Sequence, residues 1–398
     1  FGSSFPPRPA CPHVMVVREA PLPSCAADGV SALPLCDIEG VVVRSSHAGG
    51  GDGLFAARGF SPGERVVGEL ALGQLELEDP EGAWTLQDLH EAIVGAGWRD
   101  ELLRGESQGV SLFRGPPAGR LALDYHSWAE AALAASEPAE RERAAEAMLI
   151  VAFNAYATKT GGKSGRAVFP LISKANHSCV PNGTVLAHED GTGEIWCLLS
   201  IEPGAEVVVS YLSDWQLARP VAQRRDHFFS TWEFECSCPR CAADVDDARR
   251  FACPVQGCSG YCAAPREQRS TSGDSSAPFR CSLCGVFSSA EVVVAWREAE
   301  SKIEELVEGL PASLYSAWAS CEEFAAEHPD HWLVAVWKRH LAAHTEREAE
   351  DEEDPAEARA LRNEASEHFA AARRCVERII GHSLDDPRCS GVALSPAE

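Results

Sequence analysis

Three thiols fall within six residues, Cys236-Ser237-Cys238-Pro239-Arg240-Cys241, and nothing else in this chain restricts its fold as strongly. Only Cys11, Cys25 and Cys36 precede Cys179, and nine more cysteines follow it up to Cys284. Disulfide frameworks belong to small secreted domains, whereas CxC and CxxC spacings in a chain of 398 residues point to bound metal and a reducing compartment. The Cys236–Cys241 loop offers three thiolates, and a closed structural zinc site needs four. A second set, Cys253-x4-Cys258 and Cys281-x2-Cys284, has zinc-ribbon spacing with 22 residues between the pairs. Cys262 is a spare that can replace Cys258, so that ligand stays open. Two structural zinc ions are expected.

A chain this long exceeds one hydrophobic core, so two or three packed units are expected. Apolar residues make up 45% and charged residues 24%, which excludes wholesale disorder. Sixty Asp and Glu against 35 Lys and Arg leave a formal net charge of −25. Such a surface opposes nucleic-acid phosphates, so no direct nucleic-acid partner is expected. Arg266, Arg269 and Arg280 give the second cysteine set only modest basicity, which favours a structural knuckle there. No apolar run reaches membrane-span length, so no membrane partner is expected, and no signal peptide is visible.

Along the chain, residues 1–38 form a Pro- and Cys-punctuated extension. Residues 39–78 alternate short β-like runs, Val41–Arg44 and Arg65–Glu69, around Gly49-Gly50-Gly51-Asp52-Gly53. Residues 79–146 turn helical, with Trp84, Leu86, Leu89 and Ile93 at helical spacing. Short strands return over 147–215, the first cysteine set occupies 216–245 and the second 246–290, with an exposed Ser/Gly/Asp loop at 270–276. Residues 291–398 read as helices broken by the acidic run Glu348–Asp354, and hold 24 acidic against 11 basic residues.

The most informative residues are Asn176-His177-Ser178-Cys179-Val180-Pro181-Asn182, then Glu202-Pro203-Gly204 and Glu206 to Tyr211, Arg224-Arg225, and Phe234-Glu235-Cys236-Ser237-Cys238. In this order they resemble SET-domain protein lysine methyltransferases, most closely the SMYD branch. Gly51-Asp52-Gly53-Leu54-Phe55-Ala56-Ala57-Arg58 followed by Pro62-Gly63-Glu64 resembles the family's opening motif. The resemblance covers roughly residues 40–70 and 147–241. It implies an α+β fold: a SET-domain core of short twisted sheets, a helical insertion, a zinc-bound post-SET region and a TPR-like C-terminal helical domain.

The resemblance also implies roles. S-adenosylmethionine would be the cofactor, held by Asp52, Gly53, Asn154, Asn176, His177, Tyr211 and Phe234. Tyr211 would be the catalytic tyrosine beside the transferred methyl group, and Tyr156 a wall of the lysine channel. Cys179 would complete the first zinc site with Cys236, Cys238 and Cys241; the second set, Cys253, Cys258 or Cys262, Cys281 and Cys284, rests on its spacing alone. The substrate would be a basic, lysine-containing protein or peptide, histone or not, met by a monomer in cytoplasm or nucleus. Without the flanking motifs the bland alternatives would stand: a strand tyrosine, a flexible glycine loop, a capped turn. One departure is plain, since no cysteine lies between Cys36 and Cys179 and the branch's MYND zinc module is absent. Two rival readings are an inactive SET-fold scaffold and a zinc-ribbon binding protein. Keeping Tyr211, Asn176, His177 and the glycine turn together favours the enzyme.

Overall fold

The computed structural model describes residues 40–46, 51–76, 85–104, 106–107, 110–116, 119–160, 163–266, 278–308 and 314–381. The expected N-terminal extension, Gly49-Gly50 and the 270–276 loop lie outside the described residues. The chain divides into two compact units; within the described residues the first comprises 40–212 and 226–236, the second 213–225 and 237–381.

The first unit opens with β1 (Val41–Ser45) and β2 (Asp52–Ala56), an antiparallel pair in which Val43 faces Leu54. β3 (Arg65–Leu70) and β4 (Gly73–Glu76) follow. Next comes the helical stretch: α1 (Leu86–Gly95), α2 (Arg99–Arg104), the small ladder β5 (Glu106–Ser107) with β6 (Val110–Ser111), α3 (Arg120–Ala132) and α4 (Pro138–Asn154). The period seen at Leu89 and Ile93 is the buried face of α1, which Thr85 and Asp88 start with a reciprocal capping box. α4 begins at Pro138, whose fixed φ suits a first helical position, and all ten residues from Met148 to Asn154 and the alanines before them that are buried face protein rather than water.

The chain then returns to strands: β7 (Ala155–Thr160), β8 (Lys163–Val168), a 3₁₀ turn at Ile172–Lys174, β9 (Asn176–His177), β10 (Gly183–Ala187), β11 (Thr192–Cys197) and β12 (Glu206–Val209). They form small sheets ordered β1-β2-β12-β9, β10-β11-β3 and β4-β8-β7. The period-two burial of β11 and β12 is the signature of strands with one face on a core. In the first sheet β12 is antiparallel to β2 but parallel to β9, with Val208 opposite Asn176 and Val209 opposite His177. That pairing sets the Asn-His dipeptide beside the strand leading to Tyr211.

α5 (Asp214–Leu217), α6 (Val221–Trp232) and α7 (Pro239–Ala242) follow. In the second unit, β13 (Val245–Ala252) and β14 (Tyr261–Pro265) make an antiparallel ribbon. Four helices then run from α8 (Ala290–Glu308) through α9 (Leu314–Glu327) and α10 (Trp332–Asp351) to α11 (Pro355–Ile380). Phe251, Phe279, Trp296, Phe324, Trp332, Trp337 and Cys375 belong to their shared core. The acidic run is mostly helical, because α10 continues to Asp351 and the break is confined to 352–354. Asp354 then caps α11, accepting from the Ala356 amide at 2.8 Å. Gly381 closes α11 at φ 80°, a left-handed cap that favours glycine. None of the described helices is long and apolar enough to cross a membrane.

Candidate functional site

Built from local elements upward, the site starts at Gly53 on β2. A Cβ there would sit 2.5 Å from Glu206 Oε1, 2.9 Å from Ser46 Cβ and 3.0 Å from Asn176 Nδ2, so any other residue would push these neighbours apart. Asn176 uses the space: its Nδ2 donates to the Asp52 carbonyl at 3.2 Å and to Glu206 Oε1 at 2.7 Å. His177 Nδ1 accepts from the Tyr211 amide at 3.0 Å, and its Nε2 lies 3.3 Å from Cys179 Sγ. The Tyr211 hydroxyl donates to the Ala175 carbonyl at 3.0 Å. Burial, with Glu206's charge nearby, raises its pKa well above the ordinary tyrosine value, so it is a neutral phenol at physiological pH.

Around these lies an aromatic cluster. The His177 ring is 4.3 Å from Phe228, 5.4 Å from Tyr211 and 6.4 Å from Phe234. Trp232 lies 5.5 Å from Tyr211, and Phe234 meets Tyr211 edge-on at 6.3 Å. The rings of His177, Tyr211, Trp232 and Phe234 border a cavity of about 700 Å³, within the range of small-molecule sites. Its lining includes Asp52 with Lys174 and Asn176 beside it, the rings of Phe113, Phe153, Trp232 and Phe234, and the charged Arg114 and Glu233. Trp232 Nε1 and Glu233 Oε2 are buried on its wall without a hydrogen-bond partner among the described residues. An ion pair, several rings and orphaned polar atoms around one cavity fit a ligand that joins an amino-acid group to a planar ring, as S-adenosylmethionine does.

Of the residues singled out in the sequence, Asp52, Asn154, Asn176, His177, Tyr211 and Phe234 line this cavity, and Gly53 supports it from β2. Asn154 ends α4, and its carboxamide is engaged: Nδ2 donates to the carbonyls of Phe113 and Ile150, and Oδ1 accepts from the Phe113 amide. It pins the wall bearing Phe113. Tyr156 opens β7, fully buried, with its hydroxyl donating to the Ile172 carbonyl at 3.2 Å. It is not among the residues lining the cavity.

Sequence reasoning missed Lys174, Glu206, Phe228, Trp232 and Glu69. Of these, Glu69 on β3 has the broadest reach: its Oε1 accepts the amides of Leu171 at 2.8 Å and Ile172 at 2.5 Å, anchoring the 3₁₀ turn. That turn supplies Tyr156 with its acceptor, and Tyr211's acceptor Ala175 follows it directly. Burial pushes the Glu69 carboxyl up to about 7, against the lowering effect of those two amides. A raised folded-state pKa means that stability is full below about 4.5 and is lost as pH climbs through about 7. Glu69→Gln keeps an acceptor and removes the titration. Melting temperatures of wild type should therefore fall relative to Glu69→Gln between pH 5 and pH 8; parallel curves would contradict this account.

The cysteines gather into two groups among the described residues that can each hold a metal ion. The Sγ atoms of Cys179, Cys236, Cys238 and Cys241 lie within 4.8 Å of one another, as do those of Cys253, Cys258, Cys281 and Cys284. In the second group Cys253 and Cys284 are 3.7 Å apart and Cys258 and Cys281 3.8 Å. Zinc–sulfur bonds of about 2.3 Å in a tetrahedron require sulfur separations of about 3.8 Å, so this thiol set fits zinc. Cys262, the spare, is not one of the four: it is fully buried in the core of the second unit and accepts from Ser288 Oγ at 3.7 Å. Elemental analysis of purified protein should find two zinc ions per chain; one or none would remove at least one assignment.

No protein-family model matches the chain. Protein-lysine N-trimethyltransferase SMYD5 of Mus musculus is 38% identical over 84 residues, 21% of this chain and 20% of that relative. A SET and MYND domain-containing protein of Dictyostelium discoideum is 32% identical over 111 residues, 26% of this chain and 28% of its own length. N-lysine methyltransferase SMYD2 of Gallus gallus is 33% identical over 87 residues, 22% of this chain and 19% of that relative. The chain thus spans between 19% and 28% of the length of these curated relatives. Among solved structures, the SET domain of LSMT bound to lysine and AdoHcy aligns over 86% of both chains at 11% identity, with a TM-score of 0.31, too distant to build on. In the order of its motifs from Gly51 to Cys241, the chain is similar to SET-and-MYND lysine methyltransferases over about a fifth to a quarter of its length.

Proposed function

We propose that this chain transfers methyl groups from S-adenosylmethionine to the ε-amines of lysines in protein substrates. The observation that carries the reading is the Tyr211 hydroxyl, buried and neutral beside His177 on the wall of a cavity lined by charged side chains and aromatic rings. S-adenosylmethionine supplies a sulfonium-activated methyl group, which passes to the lysine nitrogen as the carbon–sulfur bond breaks and its electron pair stays on sulfur. The chain's own residues bind, align and exclude water.

At an ordinary lysine pKa near 10.4 and pH near 7.4, about one side chain in a thousand is the free amine, a cost of roughly 4 kcal/mol. The buried Tyr211 ring and the Trp232 ring packed on it desolvate an incoming ammonium, which lowers its pKa and offsets part of that cost. The proton leaves to solvent. Tyr211 then orients the amine through its hydroxyl, and Asn176 and Asp52 hold the polar end of the cofactor. Phe234 covers the planar end, and Tyr156 stiffens the turn behind the tyrosine. Zinc in each cysteine quartet is structural; in the first it fixes the loop that follows Phe234.

The acidic chain suits a basic, lysine-bearing peptide in cytosol or nucleus, histone or otherwise. A thermal-shift titration with S-adenosylhomocysteine tests the reading. Ligand at 100 times its dissociation constant stabilises the native state by about 2.7 kcal/mol. A clear upward shift, followed by transfer of radiolabelled methyl to protein lysine, is expected. No shift at millimolar ligand would favour a scaffold.

A further inference from the structure

The cavity lining holds a cation that none of the recognised motifs contains. Lys174 ends the 3₁₀ turn and is only 6% exposed, yet it lines the cavity beside Asp52, Ser173 and Asn176. Its ammonium lies 3.6 Å from Asp52 Oδ2, while the Asp52 side chain is 47% exposed. A buried ammonium is costly unless well paired, and one half-exposed carboxylate at that distance is a partial partner. Desolvation accordingly lowers the Lys174 pKa, an effect that Asp52 opposes. Glu206, the other carboxylate nearby, is engaged by Asn176 Nδ2 at 2.7 Å. So this pair offers a cation with an acidic neighbour, which is the charge complement of an α-amino acid: carboxylate toward Lys174, ammonium toward Asp52. The rings of Phe113, Phe153, Trp232 and Phe234 in the same lining suit a flat ring.

We infer that Lys174 is the counter-ion for the α-carboxylate of the cofactor's methionine end, and that it makes the pocket select nucleosides bearing an amino-acid group over those without one. This rests on reading the cavity as the S-adenosylmethionine site. Two ligands separate the two claims. S-adenosylhomocysteine carries the amino-acid end, and 5′-methylthioadenosine shares the adenosine and thioether but lacks it.

Calorimetric titration of the full chain should show wild type binding S-adenosylhomocysteine more tightly than 5′-methylthioadenosine. Lys174→Met keeps the stem and removes the charge. It should weaken S-adenosylhomocysteine roughly 10- to 100-fold, the range of a charged hydrogen bond, and leave 5′-methylthioadenosine within about 3-fold. Retained 5′-methylthioadenosine binding also reports a folded pocket. Lys174→Arg should recover much of the lost affinity. If Lys174→Met weakens both ligands equally, or neither, the lysine is structural and the inference falls while the cofactor reading stands. If wild type binds neither ligand, both fall.

Discussion

Replacing Tyr211 with phenylalanine should leave a folded, zinc-loaded protein whose methyl transfer is slower by about 100- to 1000-fold, the usual effect of deleting one preorganised donor at a reacting centre. The hydroxyl donates to the Ala175 carbonyl at 3.0 Å and the ring packs against Trp232 and His177, so the variant loses one hydrogen bond and keeps its aromatic contacts. The stability cost is about 1 kcal/mol. Cofactor affinity should change little, since the Tyr211 amide, rather than its hydroxyl, holds His177. Single-turnover transfer of radiolabelled methyl measures the chemical step, and calorimetry with S-adenosylhomocysteine measures the pocket. A near-wild-type rate in Tyr211→Phe would remove this residue from the mechanism.

A change remote from the cofactor should have a comparably large effect. In Cys179→Ser, a poor zinc ligand replaces a thiolate that is 1% exposed and stands 3.3 Å from His177 Nε2. The remaining thiols, Cys236, Cys238 and Cys241, make an incomplete set. Zinc content should fall from two ions per chain to one, with the Cys253–Cys284 group keeping its ion. The loss should reach the pocket, because Phe234 lies two residues before Cys236 and its ring contacts Phe228, 5.0 Å away, and the rings of His177 and Tyr211. Freed from its anchor, Phe234 no longer covers the planar end, and affinity for S-adenosylhomocysteine should drop at least 10-fold. The competing account makes Cys179 a small buried apolar residue. Under it the variant keeps two zinc ions and loses only stability.

Much of this was legible locally. Cys236-x-Cys238-x2-Cys241 and Cys253-x4-Cys258 are close-spaced by sequence alone, so their thiols had to share neighbourhoods whatever the rest of the fold. The Asn176-to-Asn182 motif and the run from Glu206 to Tyr211 carried the family resemblance. The caps of α11, Asp354 with Pro355 at one end and Gly381 at the other, stand in the sequence as ordinary helix punctuation. The choice between Cys258 and Cys262 was not local: only the packed second unit shows Cys262 fully buried with its thiol on Ser288 Oγ while Cys258 joins the metal-holding group.

The sequence by itself determined the chemistry available, namely two thiol quartets, one motif tyrosine and an asparagine–histidine pair. Only the tertiary structure decided what surrounds them. β9 is two residues long, too short for any periodicity to announce it, yet its parallel pairing with β12 aligns His177 with the Tyr211 amide. Glu69 reads as one more polar residue on a half-buried strand until its carboxylate is found capping amides 102 and 103 residues further on. Lys174 shows no pattern either, since its meaning lies in a 3.6 Å approach to Asp52 across two elements. Spacing along a chain encodes contacts within a turn or a ribbon. Contacts between distant segments depend on strand pairing and burial, which are properties of the packed whole.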